Sequence, residues 1–314
     1  MMPVEKISEG KKKFMIRRVL FSLVLLVSVS LSLQVSALSQ NTVRELDPAK
    51  LDLASVNALV ADARTGEVLF SKNPQAVTPI ASVTKLMGAM VVLDSGADLG
   101  ELLDIQIKET KELKNVFSRV RVGSKLKRNE MLQLSLMSSE NRAAASLAYH
   151  YKGGTEAFVK AMNAKAKALG MTHSRFVEPT GLSEKNVSSA EDLVKMIVAA
   201  SDYQVIRKLS TAAQKDSRFS APKHTLSFVN TNPLVRSNKW EVMLSKTGFI
   251  NQAGHCLVML TKIQNREVLM VFLDSFGKRS HVGDATRVRQ WIETGKSNKV
   301  PAAAKAYEKR KNQV

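Results

Sequence analysis

A chain of 314 residues with 44% apolar and 24% charged residues can build one large domain or two small ones, and its composition excludes wholesale disorder. The balance is basic, 47 Lys and Arg against 28 Asp and Glu, for a formal charge of +19. Much of the excess lies near the two ends, and the remainder forms no arginine-rich, aromatic-interleaved stripe, so no nucleic-acid partner is expected.

Residues 1–37 read as a secretory signal peptide. The basic run Lys11 to Lys13, with Arg17 and Arg18, precedes an apolar stretch from Val19 to Leu33, and Val35-Ser36-Ala37 fits cleavage after Ala37. The apolar stretch is broken by serines and falls short of a bilayer span, so no stable membrane anchor is expected after cleavage. The predicted location is the periplasm. Met15 is an alternative start. Cys256 is the only cysteine, which rules out an intramolecular disulfide. Its setting in Gly254-His255-Cys256-Leu257-Val258 predicts a buried strand residue with no chemical role.

Residues 38–53 are a polar lead-in. Val56 to Ala61, a turn at Arg64-Thr65-Gly66-Glu67, and Val68 to Ser71 predict a hairpin. A matching hairpin runs from Cys256 to Ile263 and from Val268 to Leu273. The middle is helical, with apolar spacing over Val83 to Leu93, Met131 to Met137 and Ala143 to Tyr149. Thr155 to Leu169 ends at Gly170, and Ser188-x-x-Glu191 reads as a capping box. A last helix is predicted from Asp284 to Gly295. Strands at both chain ends with helices between them imply an α+β fold with one antiparallel sheet closed by the termini. The main domain is placed at 54–295, and the basic tail 296–314 is expected to fray.

Three short motifs stand out. Ser-x-x-Lys occurs five times, so context must choose among the copies, and Ser82-Val83-Thr84-Lys85 is the one at the start of an apolar helix. There Lys85 lies one turn beyond Ser82 and on the same face, and the positive end of the helix dipole favours a developing oxyanion. Ser139-Glu140-Asn141 sits at the join of two helical segments. Lys246-Thr247-Gly248 continues the strand-like run Val242-Met243-Leu244, and its glycine permits close approach of an extended peptide.

These motifs in this order, within PIASVTKLM, LMSSENRAAASLA, RFVEPTGLS and LSKTGFINQAGHC, resemble the penicillin-binding serine peptidases that act on D-alanyl-D-alanine. The resemblance implies a β-lactamase/transpeptidase-like fold in which an all-helical lobe joins the sheet and the active site lies between them. It implies a D,D-endopeptidase that cuts D-alanyl crosslinks of peptidoglycan through an acyl-enzyme and is inhibited covalently by β-lactams. A D,D-carboxypeptidase is the near alternative; a β-lactamase or a non-catalytic wall-binding protein is more remote. The implied roles are Ser82 as nucleophile, Lys85 as general base and Ser139 as proton relay. Asn141, Lys246, Thr247 and Gly248 would bind substrate, and the backbone N–H groups of Ser82 and Phe249 would form the oxyanion hole. Burial and a nearby Lys246 charge would lower the Lys85 pKa. With no His-Glu-x-x-His pattern and no other ligand cluster, neither a metal nor a cofactor is expected. Glu178 lies roughly where a β-lactamase keeps its deacylating glutamate, but the surrounding pattern differs and points to a structural role.

Overall fold

The computed structural model describes residues 46–313, so the signal peptide, its cleavage point and most of the lead-in lie outside the described residues. In chain order, strands β1 (Ser55–Asp62), β2 (Val68–Lys72) and β3 (Thr78–Pro79) lead into helix α1 (Thr84–Asp94). Strands β4 (Leu102–Asp104) and β5 (Lys125–Lys127) precede helices α2 (Arg128–Met137), α3 (Asn141–Tyr149) and α4 (Gly154–Ala168). Next come β6 (Val187–Ser188), α5 (Ala190–Ser201), α6 (Gln204–Ser210), β7 (Gln214–Ser220) and β8 (Lys223–Val229). Strands β9 (Glu241–Ile250), β10 (Gly254–Ile263) and β11 (Arg266–Ser275), then helices α7 (Ser280–Thr294) and α8 (Ala302–Lys311), complete the chain.

The main sheet has the order β2-β1-β11-β10-β9 and is antiparallel throughout, so the first and last long strands pair at its centre, as predicted. Its central strands are buried on both faces and accordingly read as near-continuous apolar runs. On one face Leu257, Met259, Met270 and Phe272 pack with Val288, Trp291 and Ile292 of α7. The other face, through Leu59, Val258, Val271 and Leu273, joins a larger core with α1, α2, α4 and α5. Cys256 is buried in that second core, and burial pushes its thiol up to about 12, which suits the inert role expected of it. Trp291 is fully buried and its indole N–H donates to the Asp47 carbonyl at 3.0 Å. Trp291→Ala should therefore lower urea-unfolding stability by about 3–5 kcal/mol, since it opens a cavity in the core.

Several boundaries differ from the sequence expectation. Helix α7 begins at Ser280, four residues before Asp284, because Asp284 is not a cap: its buried carboxylate accepts the N–H groups of Ala54 and Ser55 at 2.9 Å each. The capping serine of α5 is Ser189, whose hydroxyl accepts from the Asp192 N–H at 3.2 Å. Ser188 is held in β6 opposite Thr78 and bonds to Ser174 at 2.7 Å. Residues 204–229, given no element above, form α6, which buries Ile206, Leu209 and Ser210, and the β7–β8 hairpin, whose strands are mostly polar and bury only Ser217, Phe219 and Phe228. The tail also departs from a frayed end. Helix α8 carries Ala304 into a small cluster with Ala54 and Val300, and Glu308 pairs with Lys72 at 2.8 Å. None of the described helices is long and apolar enough to cross a membrane.

Candidate active site

Ser82 sits in a tight helical turn, Ala81–Val83, that runs straight into α1. Ala81 before it has φ +46°, a left-handed conformation unfavourable for a residue with a Cβ, and the turn is wedged between two glycines. A Cβ on Gly181 would lie 2.0 Å from the Ala81 carbonyl oxygen, and one on Gly248 would lie 3.0 Å from the Ser82 nitrogen. Both neighbouring segments thus touch the backbone of this turn.

Lys85 is one turn on, 1% exposed, with its Nζ 2.7 Å from Ser82 Oγ. Two further acceptors surround the amine, Asn141 Oδ1 at 2.8 Å and the Thr180 carbonyl at 2.5 Å. Burial lowers the Lys85 pKa from 10.5 to about 8, while Glu178 and then Glu140 oppose that shift. Lys246, also 1% exposed, is held well below the ordinary lysine value by burial and secondarily by the Lys85 charge. Burial is thus the largest cause at both lysines, and the two amines disfavour each other's charged form.

Lys246 donates to Ser139 Oγ at 2.9 Å and to the Thr247 carbonyl at 2.7 Å. Ser139 sits in the break between α2 and α3 with φ +60°, and Asn141 opens α3, so this break aims both side chains at the same spot. Strand β9 is the free edge of the main sheet. The Ser245 N–H donates off the sheet to Ser210 Oγ at 3.4 Å, and the Thr247 carbonyl faces the same way. By strand alternation the Phe249 N–H also points away from β10, on the side of Ser82. The Ser82 N–H has no acceptor among the described residues. Ser82, Ser139, Asn141, Thr247, Gly248 and Phe249 line one cleft of ≈ 910 Å³, with Lys85 and Lys246 buried beneath it. All eight residues singled out by motif or by position after a motif come together here.

Sequence reasoning missed other parts of this cleft. The Thr180 carbonyl is a backbone group with no residue signature, although Gly181 after it marks the turn. Glu178, 3% exposed, reaches neither Ser82 nor Lys85 by hydrogen bond; its carboxylate caps its own loop through the N–H groups of Thr180 and Gly181. Phe249, 52% exposed, stacks on His255 at 4.2 Å, and His255 stacks on His281 at 5.2 Å, so two histidines without a motif line the cleft. Burial holds both below the usual histidine value, His281 at about 4, so they are neutral near pH 7.

The model of the D-alanyl-D-alanine carboxypeptidase family matches residues 41–277, which takes in every residue of this cleft up to β11. The chain belongs to that family. It is 58% identical over 260 residues to a D-alanyl-D-alanine endopeptidase of Pseudomonas aeruginosa, covering 83% of this chain and 84% of the relative. A D-alanyl-D-alanine endopeptidase of Escherichia coli is 52% identical, with 93% of each chain covered. Among solved structures the Streptomyces K15 DD-transpeptidase superposes with a TM-score of 0.72 at 25% identity, covering 78% of this chain and 98% of its own. As a member of this family the chain is a serine peptidase with the transpeptidase-like α+β fold.

Proposed function

We propose that this enzyme is a D,D-endopeptidase that hydrolyses D-alanyl crosslinks of peptidoglycan, with Ser82 as the acyl-carrying residue. The observation that carries the reading is the buried amine of Lys85 placed 2.7 Å from Ser82 Oγ, with a pKa of about 8. An ordinary serine hydroxyl needs a base to become a nucleophile, and a lysine poised near neutrality can serve as one. Relatives named as endopeptidases, at 52–58% identity, favour crosslink cleavage over the carboxypeptidase alternative.

In this scheme Ser82 Oγ bonds to the carbonyl carbon of a D-alanine and its proton passes to Lys85 Nζ. The oxyanion accepts from the N–H groups of Ser82 and Phe249. As the C–N bond breaks, the leaving nitrogen takes a proton by way of Ser139, whose hydroxyl Lys246 orients. Asn141 and the β9 edge at Thr247 and Gly248 align the peptide as an added strand. Water then attacks the ester, releasing a carboxylic acid and restoring Ser82. β-Lactams, presenting a strained amide to the same serine, would acylate it and leave slowly. The basic exposed surface suits an anionic wall polymer, and the predicted signal peptide supports a periplasmic site of action.

Ser82→Ala should abolish both labelling by a fluorescent penicillin and cleavage of purified crosslinked muropeptides while leaving the far-UV circular dichroism unchanged. Labelling that survives this substitution would overturn the assignment. Release of D-alanine from pentapeptide monomers in preference to crosslink cleavage would favour the carboxypeptidase.

A further inference from the structure

The amine of Lys85 has three neighbours, and they differ in what they can do. As a neutral base it has two N–H groups and one lone pair. The Thr180 carbonyl can only accept, and Asn141 presents its amide oxygen, so these two take both N–H groups. The third neighbour, Ser82 Oγ, then faces the lone pair. Of the two acceptors Thr180 is the invariant one, because a backbone carbonyl cannot exchange donor for acceptor as an amide side chain can.

What fixes that carbonyl is the carboxylate of Glu178. Its Oε2 accepts from the Thr180 N–H at 2.6 Å and from the Thr180 hydroxyl at 2.5 Å. Its Oε1 accepts from the N–H groups of Gly181 at 2.5 Å and Ser183 at 3.3 Å and from Asn186 Nδ2 at 2.9 Å. Asn186 Nδ2 also lies 3.2 Å from Thr84 Oγ1, on the helix that carries Lys85, and the Asn186 carbonyl accepts the Ile80 N–H at 3.1 Å. One buried anion therefore gathers a loop that is tied at its far end to both sides of Ser82. No cation bonds to it among the described residues; its partners are all neutral donors. A neutral amide in its place would point an NH₂ at further N–H donors and could not satisfy both sides.

We propose that Glu178 is a positioning residue for Lys85: it holds the Thr180 carbonyl on the amine, so that the lone pair of the neutral base has only Ser82 left to face. This rests on Lys85 acting as the base. The charged groups that face Lys85 are Glu178 from this loop, Glu140 from the α2–α3 break and Lys246 from β9. Glu178 therefore acts on Lys85 twice, through the carbonyl it fixes and through its own negative charge, which favours the ammonium.

Two substitutions separate these effects. Stopped-flow acylation by a reporter penicillin, followed across pH, gives a plateau rate and an acid limb. Glu178→Asp keeps the charge but retracts the carboxylate, which can no longer bridge Thr180 and Gly181; the plateau should fall about ten- to hundred-fold with the limb in place. Glu178→Gln removes the charge as well, so its plateau should also fall and its limb should move to lower pH by about half a unit or more. Circular dichroism and thermal melting establish that each variant is folded. Wild-type plateau rates in Glu178→Asp, or a folded Glu178→Gln with an unmoved limb, would overturn the proposal. If Glu178→Gln does not fold, Glu178→Asp decides alone, its plateau loss supporting the role and a wild-type rate refuting it. Mass spectrometry keeps the two levels apart: penicillin found on Ser82 in these variants leaves the nucleophile standing whatever happens to Glu178.

Discussion

Lys85→Met should cut the rate of penicillin acylation by at least about 10⁴-fold while leaving the melting temperature roughly unchanged. The two halves of this expectation come from the same fact. A lysine 1% exposed with its pKa lowered from 10.5 to about 8 stays protonated near neutral pH in both folded and unfolded chains. The folded state then carries a cost of about 3 kcal/mol for keeping that ammonium out of water. Between the two values the unfolded chain binds more protons than the folded one, so the cost shrinks as pH rises from about 8 towards 10.5. Methionine has nearly the same shape, removes the cost, and leaves Asn141 Oδ1 and the Thr180 carbonyl without a donor, at about 1–3 kcal/mol each. The stability terms roughly cancel, whereas the loss of the base does not. Wild-type acylation should climb along an acid limb centred near the Lys85 value of about 8, and the residual rate of the variant should lack that limb. A destabilised but still fast variant would mean that the lysine is structural and that another group takes the proton.

How much of this was legible in the sequence follows from the kind of group involved. Side chains with a required spacing were readable: Ser82 and Lys85 share a helix face, and Lys246 to Phe249 continue an apolar strand. The sheet was readable because β1, β10 and β11 are apolar runs bounded by turns. Backbone groups were not readable. The Thr180 carbonyl touches Lys85 as closely as Asn141 does, yet any residue at that position supplies a carbonyl. The histidine stack of His255 and His281 was hidden because it forms between the start of β10 and the start of α7, 26 residues apart in the chain. Glu178 was visible as an acid in an otherwise apolar and turn-forming stretch, but its work as a collector of five N–H and O–H donors depends on the path of its own loop. The tail misled for a related reason: α8 is held by Ala304 and by tertiary pairs such as Tyr307 Oη to Asp274, and an alanine-lysine composition does not announce such docking.

Gly181→Ala should lower acylation about 10³-fold and destabilise the fold by about 2–3 kcal/mol, a larger effect than that of Gly248→Ala. Gly181 has φ +81°, where a Cβ is itself unfavourable by about 1 kcal/mol. The added carbon would also meet the Ala81 carbonyl oxygen at 2.0 Å, its carbon at 2.4 Å and the Ser82 nitrogen at 2.8 Å, all backbone atoms that no rotamer change can clear. The loop must therefore lift away from the Ser82 turn. Lifting draws the Thr180 carbonyl off Lys85 and strains the Glu178 cap, so the base loses its aim while the nucleophile loses its backing. At Gly248 the contacts are 2.9 Å to the Ile80 carbonyl oxygen and 3.0 Å to the Ala81 Cβ and the Ser82 nitrogen, and φ is not positive. There a few tenths of an ångström of strand movement suffices, which separates the Phe249 and Ser82 N–H groups without unseating Lys85. Stopped-flow acylation with urea unfolding of both variants checks the order. Full activity in Gly181→Ala would mean that the loop is not pressed against the serine turn in solution, and the lysine would then need another way to find its proton.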